Sequence, residues 1–485
     1  MTYQVVWFRE FRLVFGASTA ASAAVLAVFM GGIGLGSALL GRKVDTQRRP
    51  LRLYGWLELG IGLAAGLSPV LISIAQSAYH ATGGQSVLGL PGATVARLAL
   101  SCAVLGLPTF LMGGTLPAAV RAATRDDDCF RYATALLYGI NTLGAVVGAA
   151  LSTFLLLPAM STHAVLWLAC GLNLVIGLVA ILVVPRERAP TVIEETGQSG
   201  KAAFKPRRGA SSPTGISIDA PSPERVGFVY TAAGVVGFAF FLMELVWYRM
   251  LGPILGGSTY TFGLILVVAL LGIGLGGAFY SVVLRRVQPS FSTFGLSCAL
   301  ESLFIAAPYA MGDRLALLAY DLRQGAETFS GEVLGWFLVA SIVVIPAAAV
   351  AGAQFPLLIA LAGRGRENIG RHVGTTYAWN TVGAIIGSLA GGFGLLPLLT
   401  APGAWAAVVV LLASLCLAAL VYSAGKQFGW QLIPASVATL AAIGLIIFSE
   451  GPTAVWRHSG IGAGRATIDR SSYNATRAWM HDVRR

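Results

Sequence analysis

Apolar stretches of about 20 residues, the length that a membrane-spanning helix needs, recur along the whole chain between short polar segments. Five precede a polar segment near the middle, at residues 19–41, 52–76, 95–121, 132–158 and 163–185. Seven follow it, at residues 226–250, 258–284, 292–311, 333–362, 372–398, 403–423 and 430–449. The pattern predicts an all-α polytopic membrane protein with about 12 transmembrane helices.

Composition and charge agree with a bilayer as the solvent and argue against nucleic acid as a partner. Only 11% of residues are charged, whereas soluble domains carry about a quarter. The net charge of +12 comes from basic loops on one side, such as those with Arg42 and Arg285, while the opposite loops hold Arg314 and Arg323. By the positive-inside rule, we expect a multi-pass protein of the bacterial inner membrane whose basic side is cytoplasmic.

An internal repeat is readable at an offset of 238 to 240 residues. Val6-Trp7-Phe8-Arg9 recurs as Val246-Trp247-Tyr248-Arg249, and Y-x-x-N-T-x-G-A-x-x-G begins at both Tyr138 and Tyr377. Because each unit holds an even number of spans, both copies have the same orientation, which predicts two parallel tandem repeats of the major facilitator kind. Met1 to Arg9 match only the end of span 226–250, so the first copy is expected to lack most of its first helix.

The repeat divides the chain into five segments. Residues 1–185 are the first membrane repeat, 186–225 a flexible cytoplasmic linker rich in Pro, Ser and Gly, and 226–423 the second repeat. Residues 424–450 add a hydrophobic span without a partner, and 451–485 form a basic tail. Counting the spans places the tail on the outer side of the membrane, whereas the arginines of the tail favour the cytoplasmic side. We expect the outside.

Three glutamates within spans are the strongest candidates for a site, because an ionisable group is expensive in the membrane. Glu58 and Glu301 lie in corresponding spans at an inexact offset of 243, and Glu244 lies in span 226–250. They predict either a substrate or proton site between the copies or, as the favoured alternative, carboxylates paired with Arg249 or with facing hydroxyls.

The repeated asparagines and tyrosines allow two interpretations as well. Tyr138 and Asn141, like Tyr377 and Asn380, lie one helical turn apart and face the same way. They could line a cavity, but hydrogen bonding across to a neighbouring helix is favoured.

Glycine-rich segments in the spans predict close helix packing. They are centred on Gly32, Gly34 and Gly36 and on their mates Gly272, Gly274 and Gly276. Although the second segment fits G-x-G-x-x-G, it lies inside an apolar span and lacks the strand and the acid of a nucleotide site. Histidines and cysteines are scattered, so neither a metal, a cofactor nor a catalytic site is expected.

Several motifs together resemble the membrane part of fused major facilitator/spermidine synthase-like proteins. They are Y-Q-V-V-W-x-R from Tyr3, F-M-G-G-I-G-L-G-S from Phe29, L-M-G-G-T-L-P from Leu111 and L-Y-x-x-N-T-x-G-A from Leu137. The resemblance implies a membrane region followed by a soluble domain related to polyamine aminopropyltransferases. That catalytic domain is expected to be missing here, so no catalytic residue is carried over.

Three functions follow as hypotheses. The first is a transporter-like unit for a small cationic metabolite such as a polyamine. The second is a membrane anchor or scaffold, which holds a synthase-like soluble domain or serves as a subunit of a larger membrane complex. The third and weakest is an aminopropyltransferase whose catalytic domain lies outside these residues.

Overall fold

The computed structural model describes residues 1–16, 19–124, 132–183, 223–257, 259–283, 287–363, 368–423 and 431–452, with Ile461 and Gly464. These residues form helices and no strand. The predicted linker lies almost wholly outside them, as does most of the basic tail. The helices are α1 (Thr2–Phe15), α2 (Thr19–Asp45), α3 (Pro50–Gly66), α4 (Ser68–Ala81), α5 (Gly84–Ala123), α6 (Tyr132–Leu151), α7 (Leu157–Ala159), α8 (Thr162–Val183), α9 (Pro223–Ile254), α10 (Thr259–Val282), α11 (Phe291–Met311), α12 (Arg314–Gln324), α13 (Phe329–Ala362), α14 (Ile369–Ala390), α15 (Leu396–Ser423) and α16 (Leu432–Phe448).

The predicted class, an all-helical membrane protein, is confirmed. Within the described residues, nine helices are long and apolar enough to cross a bilayer, and the number is ten if α3 and α4, which meet at a bend of 43°, form one broken span. Two further predicted spans are helical but fall below this standard. The helix α16 has 17 residues, and polar residues such as Thr376 and Asn380 reduce the hydropathy of α14.

Equivalent helices of the two copies have the same breaks. A π-helical turn follows α6 at Ser152–Leu156, and another follows α14 at Gly391–Leu395. A non-helical backbone then occurs at Met160 in the first copy and at Thr400 in the second. The helices α2 and α5 pack along each other just as α10 and α13 do. The parallel duplication therefore extends to local backbone geometry.

Two crosswise helix pairs join the copies. The helix α2 packs along α14 of the second copy, and α10 packs along α6 of the first. A Cβ atom at Gly34 would lie 2.7 Å from Thr381 on α14, and one at Gly274 would lie 2.8 Å from Leu143 on α6. The glycines allow this approach of helix backbones, which association in a bilayer requires.

The other glycines of the two segments face partners within their own copy. A Cβ atom at Gly36 would overlap the carbonyl oxygen of Phe110 on α5, and one at Gly276 would overlap that of Ala349 on α13. Gly32 lies in the same way against Thr109, and Gly272 against Ala348. In each segment, the first and third glycines therefore pack against a helix of the same copy, and the middle glycine packs against a helix of the other copy.

The copies differ at their first helix. The helix α9 has 32 residues and packs along α14, whereas α1 has 14 and reaches only the far end of α6. There, the Thr2 hydroxyl donates to the Gly148 carbonyl at 3.4 Å, and the Ser152 hydroxyl donates to Thr2 at 2.9 Å. The remaining track beside α6 is not filled by a helix of the described residues.

Contacts between helix termini define two ends of the molecule. At the linker end, where α9 begins, Phe228 stacks on Tyr422 at the end of α15, with ring centroids 4.7 Å apart. At the opposite end, a Cβ atom at Gly451, just after α16, would lie 2.7 Å from the ring of Tyr309 near the end of α11. The described start of the tail therefore lies opposite the linker end, as span counting predicts.

Candidate functional site

A cavity of about 920 Å³ lies between the two copies. Its walls come from α1, α2, α3, α5, α6 and α8 of the first copy and from α9, α10, α13 and α14 of the second. Most wall residues are apolar. The polar wall residues are Thr2, Tyr3, Gln4, Ser37, Glu58, Thr115, Tyr138, Asn141, Thr142, Asn173, Glu244, Tyr377, Asn380 and Thr381.

Two of the three predicted glutamates share this cavity. Glu58 enters from α3 of the first copy and Glu244 from α9 of the second. The wall contains no Lys, Arg or His side chain within the described residues. The cavity therefore combines two carboxyl groups from opposite copies with apolar surroundings, and the described part of its wall, which includes Met1, contributes no basic side chain.

Glu58 is held in place by a neighbour that the sequence reasoning missed. The Asn173 side chain of α8 donates a hydrogen bond to Glu58 Oε2 at 2.8 Å. Asn173 is itself a wall residue, as is Gln4 of α1. An amide within the otherwise apolar span 163–185 was the available signal, since polar groups in spans seek partners.

Arg249 lies outside the cavity wall. It is exposed, and it follows Glu244 by five positions, which turns it about 140° away around a helix with 3.6 residues per turn. The geometry of α9 therefore separates this pair, and the alternative that joined them in an ion pair gains no support.

Glu301 is also outside the cavity wall. It is 1% exposed on α11, where Gln354 of α13 hydrogen-bonds to its carboxyl group and Oε2 has no partner among the described residues. Gln354 also donates to the Cys298 sulfur at 3.8 Å. Glu301 thus belongs to a polar cluster inside the second copy, away from Glu58 and Glu244.

Both repeated tyrosines line the cavity on either side of one phenylalanine. The Tyr138 and Tyr377 rings lie 4.8 and 5.6 Å from the ring of Phe355. Behind them, Val120, Ile359 and Val373 are fully buried. This aromatic layer, Tyr138 with Phe355 and Tyr377, closes the cavity toward the linker end.

The two asparagines have different surroundings, although their local sequences match. Asn380 Nδ2 donates to the carbonyl oxygen of Ala233 on α9 at 3.1 Å, which is the helix-joining bond predicted for such an amide. Asn141 is exposed in the cavity wall. One asparagine therefore joins two helices, while its mate is available to the cavity.

The cavity opens sideways. Leu168 and Leu172 of α8 and Val147 and Leu151 of α6 are wall residues, and each is about half exposed. Because these helices face the bilayer, the gap between α6 and α8 connects the cavity with the hydrocarbon region. A ligand with apolar parts could therefore contact the cavity from the membrane.

Comparison of the sequence with protein-family models and with curated proteins finds no match. Among solved structures, that of the human organic anion transporter MFSD10 (TETRAN) is similar, with 15% sequence identity and a TM-score of 0.48. The match covers 86% of this chain and 89% of that chain. The description of the fold therefore rests on the helices and the internal repeat of this chain.

Proposed function

We propose that this protein binds a small organic cation of the polyamine class in the central cavity and moves it across the membrane. The observation that carries the proposal is the placement of Glu58 and Glu244, from opposite copies, in one cavity wall whose described residues include no basic side chain. The volume of about 920 Å³ lies in the range of small-molecule sites.

The chemistry of the wall suits a cation with methylene segments. A carboxylate removed from water is stable only beside a counter-charge or hydrogen-bond donors, and an ammonium group supplies both. The side chains of Asn173 and Tyr54 already hydrogen-bond to the Glu58 carboxylate, which as an acceptor of up to about four such bonds keeps capacity for a ligand. The apolar wall residues would contact the methylene groups between the charges of a polyamine.

Movement across the membrane would require the aromatic layer to open. The two tyrosines come from different copies, Tyr138 from α6 and Tyr377 from α14, and both contact Phe355. Rocking of one repeat against the other is the usual route to alternating access in duplicated transporters, and it would separate these rings. The linker end is cytoplasmic in this proposal, on the evidence of the basic loops.

Binding and uptake by purified protein in liposomes would test the proposal. Radiolabelled putrescine and spermidine should bind saturably and accumulate, and Glu58→Gln and Glu244→Gln should each weaken binding at least tenfold. Glu301→Gln is the matched control, because Glu301 is a buried glutamate of a span that does not face the cavity. It should leave binding within twofold of the unchanged protein.

Two results would contradict this function. One is the absence of saturable binding by either amine. The other is an equal loss in all three glutamine variants, because general destabilisation of the helices would then explain the effect.

A second candidate is a membrane anchor or scaffold for a synthase-like soluble domain, fused or separate, or for other membrane subunits. The open face of α6 beside Asn141 and Gly144 favours it, since a helix surface of this kind can receive a partner. The sequence motifs supply the synthase-like domain as the partner class. Co-purification of this chain with such a domain, without transport of either amine, would favour the scaffold.

A further inference from the structure

We propose that the central cavity prefers amines with two ammonium groups over amines with three, because Gln4 of α1 lies where the second copy has the carboxyl group of Glu244. This preference rests on the proposed function, since it specifies the charge of the cation that the cavity binds. It makes Gln4 a residue that determines specificity.

Gln4 and Glu244 are equivalent positions of the repeat. Gln4 precedes Trp7 by three positions, just as Glu244 precedes Trp247, at the offset of 240 residues. Both side chains line the cavity, one from α1 and the other from α9. Because parallel copies are related by an axis along the membrane normal, equivalent residues lie at about the same depth on opposite sides. At this depth the cavity has an amide on one wall and a carboxyl group on the other.

The Gln4 side chain is available to a ligand. Gln4 is 8% exposed, and its Oε1 atom has no hydrogen-bond partner among the described residues. A buried acceptor without a donor is unfavourable, and an N–H group of an amine in the cavity would be that donor. Gln4 can therefore contact the ligand, but it contributes no charge to the site.

The described wall residues supply two carboxyl groups, Glu58 from the first copy and Glu244 from the second. The exact counterpart of Glu58 at the offset of 240 is Cys298, and no described residue of α11 is in the wall. The first copy has Gln4 at the position of Glu244. Neither acid of the wall therefore has an acidic counterpart in the other copy.

The number of carboxyl groups favours a ligand with the same number of ammonium groups. An ammonium group removed from water is stable only beside a counter-charge. In an amine with two such groups, Glu58 and Glu244 can each neutralise one. A third ammonium group would meet Gln4 or apolar wall residues such as Phe240 and Ile273, where it has no counter-charge.

Spermidine and 1,8-diaminooctane are the probes, because they have the same chain length and differ in one group. Spermidine has an ammonium group where the diamine has a methylene group. Equilibrium binding of both amines to the full-length protein in nanodiscs at neutral pH should show tighter binding of the diamine. In the Gln4→Glu variant, the ratio of the two dissociation constants should shift toward spermidine by at least tenfold, because the third ammonium group gains a carboxylate partner.

Gln47→Glu is the matched control. It makes the same substitution at an exposed position between α2 and α3, outside the cavity wall, and it should leave the ratio unchanged. Because ratios are compared, groups that all variants share do not affect the result. Folding of Gln4→Glu is expected because Glu244 occupies the equivalent position of the second copy. An unchanged elution volume and helical circular dichroism would verify it.

Gln4→Met is a second variant, which keeps the length of the side chain without its acceptor. It should weaken binding of the diamine at least threefold, because an N–H group of the ligand loses its partner.

Two results would overturn this preference and leave the proposed function intact. One is saturable binding with the same ratio in Gln4→Glu and Gln47→Glu. The other is an equal loss of affinity for both amines in Gln4→Glu and Gln4→Met, which would assign Gln4 to helix packing. Absence of saturable binding of either amine to the unchanged protein would contradict the proposed function itself, and the preference with it.

Discussion

At the scale of single residues, Asp45 joins the two copies by capping a helix of its partner repeat. Its carboxylate, at the end of α2, accepts from the backbone N–H groups of Gly370 and Arg371, each at 2.8 Å. Asn368, the residue before α14, makes no capping bond with its own side chain. Asp45 therefore supplies the cap that α14 lacks and places a negative charge at the positive end of the helix.

We predict that Asp45→Ala destabilises the protein by about 1 to 2 kcal/mol, the usual range for a lost N-cap. Thermal unfolding in detergent, followed by tryptophan fluorescence, would measure the change. Glu327→Ala, which removes an exposed acid at the opposite end, should leave the midpoint unaltered. Equal midpoints for Asp45→Ala and the unchanged protein would refute the capping role.

The sequence alone did not show which of the predicted site residues would line one cavity. Glu58 has its mate near position 298 at the offset of 240, so Glu301, at 243, is displaced by nearly one helical turn. The displacement does not explain why Glu301 lies outside the cavity, because no described residue of α11 is in the cavity wall, Cys298 at the exact offset included. Hydropathy alone marked both residues as equally unusual, because it does not report which side of a helix faces a cavity.

At the scale of helices, the glycine contacts make a sharp prediction about backbone separation. In Gly276→Ala the new methyl group would overlap the Ala349 carbonyl, which belongs to the backbone of α13 and cannot rotate away. We expect a loss of about 1 to 3 kcal/mol, the range for overpacked interiors. Thermal unfolding would again measure it.

Gly144→Ala is the matched control for that substitution. It makes the same change in a span where the methyl group meets nothing within 4 Å, so its stability should be equal or slightly higher, since alanine favours helix. Equal destabilisation by both alanine substitutions would show that neither helix propensity nor the distance from the new methyl group to the neighbouring backbone explains the effect.

The apolar pattern predicted the existence of these helices better than their internal breaks. The predicted span 52–76 is two helices, α3 and α4, that meet at a 43° bend before Pro69. The π-helical turns at Ser152 and Gly391 left no mark in the hydropathy, because a π turn shifts the register of hydrogen bonds without changing the apolar character of the residues.

At the scale of the whole molecule, the repeat predicted two parallel copies and a deficit at the first helix. The sequence could not place the opening between α6 and α8. That position depends on how α2, α14, α6 and α10 cross, which is set by side-chain contacts between distant residues. The central cavity and its lateral opening were therefore accessible only from the packed structure.

The orientation of the molecule in the membrane is the last prediction. The linker end carries Arg42, Lys43 and Arg371, so we expect that end to face the cytoplasm. Gln47 is exposed between α2 and α3 at this end, and Gln324 is exposed at the end of α12 on the opposite side. These two glutamines are suitable positions for single cysteines, after the five native cysteines have been replaced by serine.

In intact cells without an outer membrane barrier, a membrane-impermeant maleimide should label Gln324→Cys and leave Gln47→Cys unlabelled. Permeabilised cells should show labelling of both, which verifies that each thiol is reactive. Labelling of Gln47→Cys alone in intact cells would show the opposite orientation. Labelling of both variants would contradict a single orientation of the protein in the membrane. Because each span turns the chain to the other side, one such pair of thiols determines the sidedness of every loop between α2 and α13.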